Sequence, residues 1–362
     1  MRLFNCVNCG NVVHFENTQC QSCLASIGYS PRLTTMIALS NGAQGGWRLC
    51  QNAQFGVCNW VMPPDSPETL CRACRHNKTI PNVSIPANVE AWRKIELAKH
   101  RLFYSLVRFN LPLVPPTADG ERLIFDFLRD DDHHTHGPRV MTGHENGLVT
   151  LSLAEADDAE RERRRTSMNE PYRTLLGHFR HEVGHYFWDT LVRDGGEGEL
   201  ESCRAVFGDD TIDYAAALRR HYDNGPVANW APNFVSAYAS SHPWEDFAES
   251  WAHYFHIVDT VETASAFGLH VEPDIDWPGR LRAIVDFDPY VEPDFKKIVD
   301  VWIPLTVAMN SLSRSMGVND AYPFVLGEGA LRKLSYIHGL ARSRSRHAPA
   351  VNGRLRQGAT VQ

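Results

Sequence analysis

The sequence predicts an α+β protein in which a small β-rich metal-binding module precedes a larger, mostly helical domain with a small sheet. Two observations lead to this prediction. Eight of the nine cysteines lie before residue 75, in a stretch with too few large apolar residues to form a core of its own. Farther along, apolar residues recur at helical spacing, as they do over residues 92–106 and 175–187.

The cysteines before residue 75 form two quartets with the spacing of zinc sites. The quartets are Cys6, Cys9, Cys20 and Cys23, and Cys50, Cys58, Cys71 and Cys74. A Cys-x2-Cys pair places two thiolates on one tetrahedral zinc ion and is a poor disulfide in most folds. We therefore expect two structural zinc ions, which must supply much of the folding energy of two short zinc-ribbon modules. The alternative is a redox dithiol, but no βαβ pattern surrounds these pairs.

The segments between the cysteines and the central motif are predicted from periodicity and from proline breakers. In order, they are a linker from Pro81 to Pro86, a helix at 89–109, a strand at 123–128, an acidic loop at 130–136, strands at 140–142 and 148–153, and a charged helix at 155–165. The acidic loop is predicted to be solvated, with metal binding as the alternative. The strand pair is either an ordinary hairpin or an edge to which a peptide is added as a further strand.

The central motif is His181-Glu182-Val183-Gly184-His185, on a helix predicted from near Pro171 to Asp194. Two histidines four residues apart lie on the same helical face and can bind one metal ion. Glu182 lies one step around the helix, where its carboxylate can reach a metal-bound water without becoming a ligand. This arrangement is the one needed to hydrolyse a peptide bond with zinc.

His181 and His185 need a third protein ligand, so that the fourth position stays open for water. Pro243 begins a predicted helix on which Glu245 and Glu249 share one face. Two stacked carboxylates on a mostly apolar helix are costly unless a cation offsets their charge. We therefore predict Glu245 as the third ligand and Glu249 as the partner that orients a zinc-bound histidine. The alternative ligands lie farther along the same helix: His253 and His256.

The motif His181-Glu182-x-x-His185, followed by Tyr238 and then Glu245-x-Phe-Ala-Glu, resembles the gluzincin group of zinc peptidases. Within that group it is similar to the catalytic domain of anthrax lethal factor and its relatives. The cysteine quartets together with residues 173–186 and 242–254 also resemble a bacterial family of zinc-binding metallopeptidases with an amino-terminal zinc ribbon. This second likeness spans residues 1–340, and the long insertion between His185 and Glu245 departs from the short-spaced gluzincins.

The resemblance implies a zincin-like, mostly helical metallopeptidase domain with a small sheet. It implies that Glu245 binds the catalytic zinc and that Tyr238 hydrogen-bonds the oxyanion of the reaction. From the residues themselves, Glu182 is the predicted general base, which takes a proton from a zinc-activated water. The sequence thus predicts a zinc metallopeptidase acting on a protein or peptide, with one catalytic and two structural zinc ions.

Three regions are predicted: two zinc-ribbon modules at 1–80, the metallopeptidase domain at 81–340, and a disordered basic tail at 341–362. We expect the zinc-ribbon modules to bind a protein partner, to bind a nucleic acid or to act as a scaffold, and the sequence does not choose among these. The alternative to catalysis is a zinc-binding adaptor with a degenerate zincin domain, although Glu182 would have no use in a purely structural site.

Charge and hydropathy exclude several other classes of protein. A net charge of -7 argues against a general nucleic-acid binder, although the arginines of the tail leave a nucleic-acid-guided protease as an alternative. No window of eighteen apolar residues predicts a transmembrane helix. Residues 1–6 contain no signal-peptide hydrophobic region, and we therefore expect a cytoplasmic protein.

Overall fold

The computed structural model describes residues 2–39, 46–113, 123–129, 140, 142–167, 170–275 and 279–345. Parts of three predicted segments lie outside these residues. They are all of the acidic loop at 130–136, residue 141 of the first predicted hairpin strand, and the tail beyond residue 345. Within the described part, the chain is an α+β protein with eight helices and several small sheets, as the sequence predicts.

The twelve strands of the described residues are short. They are β1 (Phe4–Asn5), β2 (Val12–Val13), β3 (Ser26–Ser30), β4 (Thr35–Leu39), β5 (Arg48–Leu49), β6 (Val61–Met62), β7 (Asn77–Thr79), β8 (Ile124–Leu128), β9 (Gly143–Glu145), β10 (Leu148–Ser152), β11 (His270–Val271) and β12 (Ala283–Ile284). The first six form three antiparallel two-stranded hairpins in sequence order. The amino-terminal part is therefore β-rich, in agreement with the prediction.

The helices make up most of the remaining chain. They are α1 (Pro86–Arg108), α2 (Asp158–Ser167), α3 (Leu175–Phe187), α4 (Glu197–Phe207), α5 (Tyr214–Asn224), α6 (Pro243–Ala266), α7 (Phe295–Ser315) and α8 (Glu328–Ser345). The last of these continues into the segment predicted as a tail at 341–362. Among the described residues, no helix combines the length and the apolar character needed to cross a bilayer.

The amino-terminal hairpins pack against α1 through aromatic side chains. The ring of Phe15 lies 4.7 Å from that of Tyr29 and 5.4 Å from that of Tyr104 on α1, and Tyr29 in turn lies 5.3 Å from Trp60. All four rings are buried. Edge-to-face and tilted contacts at these distances are favourable for aromatic pairs. The zinc-ribbon part and the helical part therefore share one apolar core.

A four-stranded sheet in the order β7-β8-β10-β9 joins the two parts of the chain. β7 follows the second cysteine quartet and pairs in parallel with β8, which pairs in parallel with β10. β9 pairs antiparallel with β10 and forms an edge of the sheet within the described residues. The predicted hairpin is thus present; among the described residues its first strand is Gly143–Glu145, which the prediction left between the two strands.

α3 and α6 pack closely against each other. α3 begins at Leu175, where the Thr174 side chain caps the helix by accepting from the Gly177 N–H at 3.0 Å. Its start is therefore later than the proline signal near residue 171 predicts. A π-helical turn, Trp188–Arg193, continues the helix to the glycine pair at 195–196. Trp251 of α6 stacks on Phe187 of α3 with ring centroids 4.9 Å apart, so an aromatic core lies directly behind the central motif.

Candidate active site

α3 places His181 and His185 side by side, as the spacing predicts. Their Nε2 atoms are 3.2 Å apart. His185 is 3% exposed, whereas the His181 side chain keeps 14% of its surface exposed, so solvent reaches the pair mainly at His181. Trp244 covers His185, with ring centroids 3.8 Å apart. The imidazoles therefore have few alternative rotamers, which suits a preorganised metal site.

α6 brings Glu245 to the two histidines. The helix begins at Pro243, and the His242 side chain caps it by accepting from the Trp244 N–H at 3.0 Å. Glu245 Oε2 lies 3.0 Å from His181 Nε2 and 3.6 Å from His185 Nε2. The three ligand atoms thus form a compact triangle, as a tetrahedral ion with Zn–N and Zn–O bonds of about 2.0–2.2 Å requires.

Glu245 is 1% exposed, and its Oε2 atom is buried without a well-formed hydrogen bond to any described residue. A buried carboxylate oxygen without such a partner is costly unless a cation lies beside it. Tyr214 of α5 donates to the other oxygen, Oε1, at 2.6 Å. One oxygen of Glu245 is thereby held and the other is left for a metal ion, so the residues fit the zinc ion that the sequence predicts here.

Glu249 lies one turn farther along α6 and contacts His181 from the side opposite Glu245. Its Oε1 accepts from His181 Nδ1 at 2.8 Å, and its Oε2 accepts from the Ser236 hydroxyl at 2.6 Å. A carboxylate on Nδ1 fixes the ring so that Nε2 carries the lone pair toward the metal position. The contact is the one that the predicted role of Glu249 requires, and the role itself stays a prediction.

The carboxyl groups of the site have displaced pKa values. Burial favours the protonated form of Glu245, but the imidazoles of His185 and His181 outweigh it and hold the pKa of this carboxyl well below its usual value. Burial likewise opposes ionisation of Glu249, and the hydrogen bond from His181 overcomes it and lowers its pKa. For Glu182 burial prevails and raises the pKa of the carboxyl, although the two histidines pull it down. A raised pKa is the property that suits a general base.

Tyr238 lies beside His181 in the same site. Its ring centroid is 6.0 Å from that of His181. Burial, and secondarily the charge of Glu245, raise the pKa of its phenol above the usual value, so Tyr238 keeps its proton and remains a hydrogen-bond donor. The ring of His144, on the edge strand β9, lies 5.9 Å from that of His185.

The two alternative ligands on α6 point elsewhere. His253 Nδ1 lies 2.7 Å from the Tyr322 hydroxyl. His256 Nδ1 lies 2.5 Å from Arg180 Nη1. Neither belongs to a group of described residues whose ligand atoms converge as those of His181, His185 and Glu245 do.

Each cysteine quartet also converges. In the first quartet, Cys6 and Cys23 have Sγ atoms 3.7 Å apart and Cys9 and Cys20 have Sγ atoms 3.6 Å apart. Sulfurs bound tetrahedrally to zinc at 2.3 Å would be about 3.8 Å apart. The sulfurs of the second quartet, Cys50, Cys58, Cys71 and Cys74, all lie within 4.8 Å of one another and are buried. Both quartets therefore have the geometry of a closed structural zinc site.

Two convergent cysteine quartets near the amino terminus and a His–His–Glu group between two helices define the class of protein: a zinc ribbon followed by a helical domain that can hold a further metal ion. Residues 88–340 match a family described as "Putative zinc-binding metallo-peptidase", and residues 3–85 match a family of zinc-ribbon domains. The chain belongs to this zinc-binding metallopeptidase family.

Similar proteins occur in mycobacteria. An uncharacterized protein of Mycobacterium bovis and uncharacterized proteins from two strains of Mycobacterium tuberculosis are each 40% identical to this chain over 340 residues. The match covers 93% of this chain and 94% of each relative. No solved structure matches the chain.

Sequence reasoning did not find three residues of the site. Tyr214 donates a hydrogen bond to Glu245, Ser236 donates one to Glu249, and the ring of Trp244 covers His185. Trp244 could have been inferred, since it directly precedes Glu245 at the start of α6. The other two lie in the long insertion between the two ligand helices, where no periodic pattern indicates which side chains turn inward.

Proposed function

We propose that the protein is a zinc-dependent endopeptidase whose catalytic zinc ion is held by His181, His185 and Glu245. One observation carries the proposal. Glu245 Oε2 is buried, lacks a well-formed hydrogen bond within the described residues, and lies 3.0 Å and 3.6 Å from the Nε2 atoms of the two histidines. A structural site would use four protein ligands, whereas three ligands leave a position for the reacting groups.

A zinc ion bound here would supply Lewis-acid chemistry, lowering the pKa of water and polarising the carbonyl of the peptide bond. Glu182 is the general base in this proposal. Its carboxylate takes the proton of the attacking water and passes it to the nitrogen of the leaving amine. Burial keeps the pKa of Glu182 above its usual value and thereby makes the carboxylate a better proton acceptor.

Tyr238 is proposed to stabilise the transition state. Its hydroxyl stays protonated and its ring lies beside that of His181, from which it can donate to the oxygen of the scissile carbonyl as negative charge develops. Glu249 and Tyr214 hold His181 and Glu245 in place and do not touch the substrate in this account.

A peptide substrate is proposed to lie along β9. This strand forms an edge of the sheet within the described residues, and its central residue, His144, lies beside His185. An extended peptide can pair with an edge strand through its backbone, which needs no particular side chains. Pairing with β9 would then hold the scissile bond at a fixed distance from the position of the metal ion.

We also propose the domain organisation that the sequence predicts: zinc-ribbon modules at 1–80, the metallopeptidase domain at 81–340 and a tail at 341–362. We propose that each cysteine quartet contributes ligands to one structural zinc ion and that the zinc-ribbon modules contact a protein, either a partner or the substrate itself. Glu182 distinguishes an enzyme from a zinc-binding adaptor, because a site that only binds metal gains nothing from a base beside it.

The test compares Glu182→Gln with Glu201→Gln, an exposed glutamate of α4 that serves as the control. Cleavage is followed by mass spectrometry on a mixture of synthetic peptides and on unfolded casein, and the zinc content of each variant is measured. We expect Glu182→Gln to retain zinc and lose at least about a hundredfold in rate, since general acid–base catalysis contributes about 10²–10⁴-fold. Equal cleavage by both variants, or no cleavage by the zinc-loaded parent protein, would overturn the proposal.

A further inference from the structure

The second cysteine quartet has a fifth potential ligand that comes from the helical domain. His100 of α1 is 3% exposed, and its Nε2 lies 3.3 Å from Cys58 Sγ, 3.8 Å from Cys74 Sγ and 4.0 Å from Cys71 Sγ. Neither the zinc-ribbon match at residues 3–85 nor the spacing of the cysteines includes this histidine. Its ring faces three of the four sulfurs at once.

The other nitrogen of the ring determines what His100 offers to these sulfurs. Nδ1 lies 2.7 Å from the backbone carbonyl oxygen of Glu96, and a carbonyl oxygen can only accept a hydrogen bond. Nδ1 therefore carries a hydrogen, and a neutral ring presents the lone pair of Nε2 to the sulfurs. Metal-binding histidines commonly show this arrangement, with one nitrogen donating to a carbonyl and the other on the metal.

The distances also fit coordination. With zinc bonds of about 2.0–2.1 Å to nitrogen and about 2.3 Å to sulfur, a tetrahedral site has N–S separations of about 3.6 Å and S–S separations of about 3.8 Å. The three distances from His100 Nε2 average close to the first value, and the Cys58–Cys71 separation of 3.8 Å equals the second. A zinc ion between His100 and these sulfurs therefore needs little rearrangement.

The net charge of the zinc site favours three cysteines and one histidine over four cysteines. Four thiolates around Zn²⁺ carry a net charge of −2, whereas three thiolates and one neutral imidazole carry −1. All four cysteines and His100 are buried, and a smaller charge costs less to bury. The carboxylate of Glu96 also converges with Cys74 and His100, but it already pairs with Lys99 at 2.9 Å and accepts from the Trp92 indole at 3.0 Å, and we leave it out of the ligand set.

Cys50 has another partner. Its Sγ accepts from the backbone N–H of Cys71 at 3.3 Å. This bond does not by itself separate Cys50 from the other cysteines, since Cys58 and Cys71 accept comparable bonds from the backbone N–H groups of Trp60 and Cys74 at 3.4 Å. Cys50 is left out of the proposed ligand set because the ring of His100 faces the other three sulfurs of the quartet, so an ion on that side lies closest to Cys58, Cys71 and Cys74.

We propose that the second zinc ion is bound by Cys58, Cys71, Cys74 and His100, so that this site is shared between the zinc ribbon and α1. The same helix contacts α6, where the Tyr104 hydroxyl donates to Glu262 Oε1 at 2.7 Å and the Ser105 hydroxyl donates to Asp259 at 2.7 Å. The ion therefore ties the amino-terminal module to the helix pair that carries the candidate active site. This inference does not depend on peptidase activity.

The test is nuclear magnetic resonance of the full chain with ¹¹³Cd²⁺ in place of zinc. Correlations between each cadmium signal and protein protons identify its ligands directly. We expect one signal that correlates with the ring protons of His100 and with the β-protons of Cys58, Cys71 and Cys74. In His100→Gln the ring correlation should vanish and this cadmium signal should move, whereas His338→Gln, a buried histidine of α8, should leave it in place. A signal that correlates with four cysteines of this quartet and with no imidazole would overturn the inference.

Discussion

Gly184 of α3 and Ala248 of α6 meet so closely that the crossing has no room for a side chain. A Cβ atom added at Gly184 would lie 2.9 Å from Ala248 Cα and 3.2 Å from its carbonyl oxygen. Gly184 directly precedes His185, and Ala248 directly precedes Glu249. The absence of a side chain at residue 184 therefore sets the distance between the two helices that carry the candidate ligands.

Gly184→Ala should both destabilise the protein and weaken zinc binding by His181, His185 and Glu245. The methyl group forces α3 and α6 apart, and overpacking of a core costs about 1–3 kcal/mol in the free energy of unfolding. The matched control is Gly198→Ala in α4, where an added Cβ meets nothing within 4 Å, so this change should be neutral or slightly stabilising. Urea unfolding and zinc content measure both effects. Equal stability of the two variants would show that the helices tolerate a larger separation.

Tyr214→Phe should weaken zinc binding at the candidate active site without unfolding the protein. The change removes the donor that holds Glu245 Oε1 at 2.6 Å. Loss of a group that orients a metal ligand costs about 10–100-fold in metal affinity. Competition with a chelator measures this affinity, and Tyr336→Phe is the control because it removes a tyrosine–glutamate hydrogen bond at Glu199, on α4. The same release curve for both variants would mean that Tyr214 does not position Glu245.

His253 should make the protein less stable in acid. Burial lowers the pKa of His253 to about 4, with the charge of Glu249 opposing this shift and that of His181 adding to it. Tyr322 lies against its Nδ1. Because the folded pKa is below the unfolded value near 6.5, the unfolded chain binds the proton first. The stabilisation is complete above pH 6.5 and is lost as the pH falls toward 4, by about 2–3 kcal/mol.

The measurement for His253 is the difference in unfolding free energy between the parent protein and His253→Gln across this pH range. Both proteins contain the same candidate zinc ligands, so acid release of metal contributes equally to each and cancels in the difference. The parent should lose stability relative to the variant as the pH falls. A difference that stays constant from pH 7.5 to 4.5 would contradict the assignment.

Local patterns in the sequence were enough to predict the parts of the site that lie on single helices. Spacing of four residues places His181 with His185 and Glu245 with Glu249, and the structure brings these two pairs together. Spacing also predicts the two cysteine quartets. In each case the relevant residues are close in the chain, so helical or knuckle geometry fixes their relative position.

The contacts that the sequence did not predict join distant segments. Tyr214 reaches Glu245 from another helix of the insertion, and His100 reaches Cys58 across 42 residues. Such contacts depend on how α1 and α5 pack, which no local pattern reports. The start of α3 was predicted too early for a different reason: Thr174 is itself a good cap, and its side chain competes with the proline signal upstream.

The zinc content of the purified protein tests the central claim most directly, with Glu245→Ala compared with the parent and with Glu201→Ala as the exposed control. Among the described residues, metal-binding side chains converge in three places: the first cysteine quartet, the second quartet with His100 and Glu96 beside it, and the set of His181, His185 and Glu245. We predict three zinc ions per chain in the parent and the control, and two in Glu245→Ala. Three ions in Glu245→Ala, or only two in the parent, would contradict a third zinc site at Glu245.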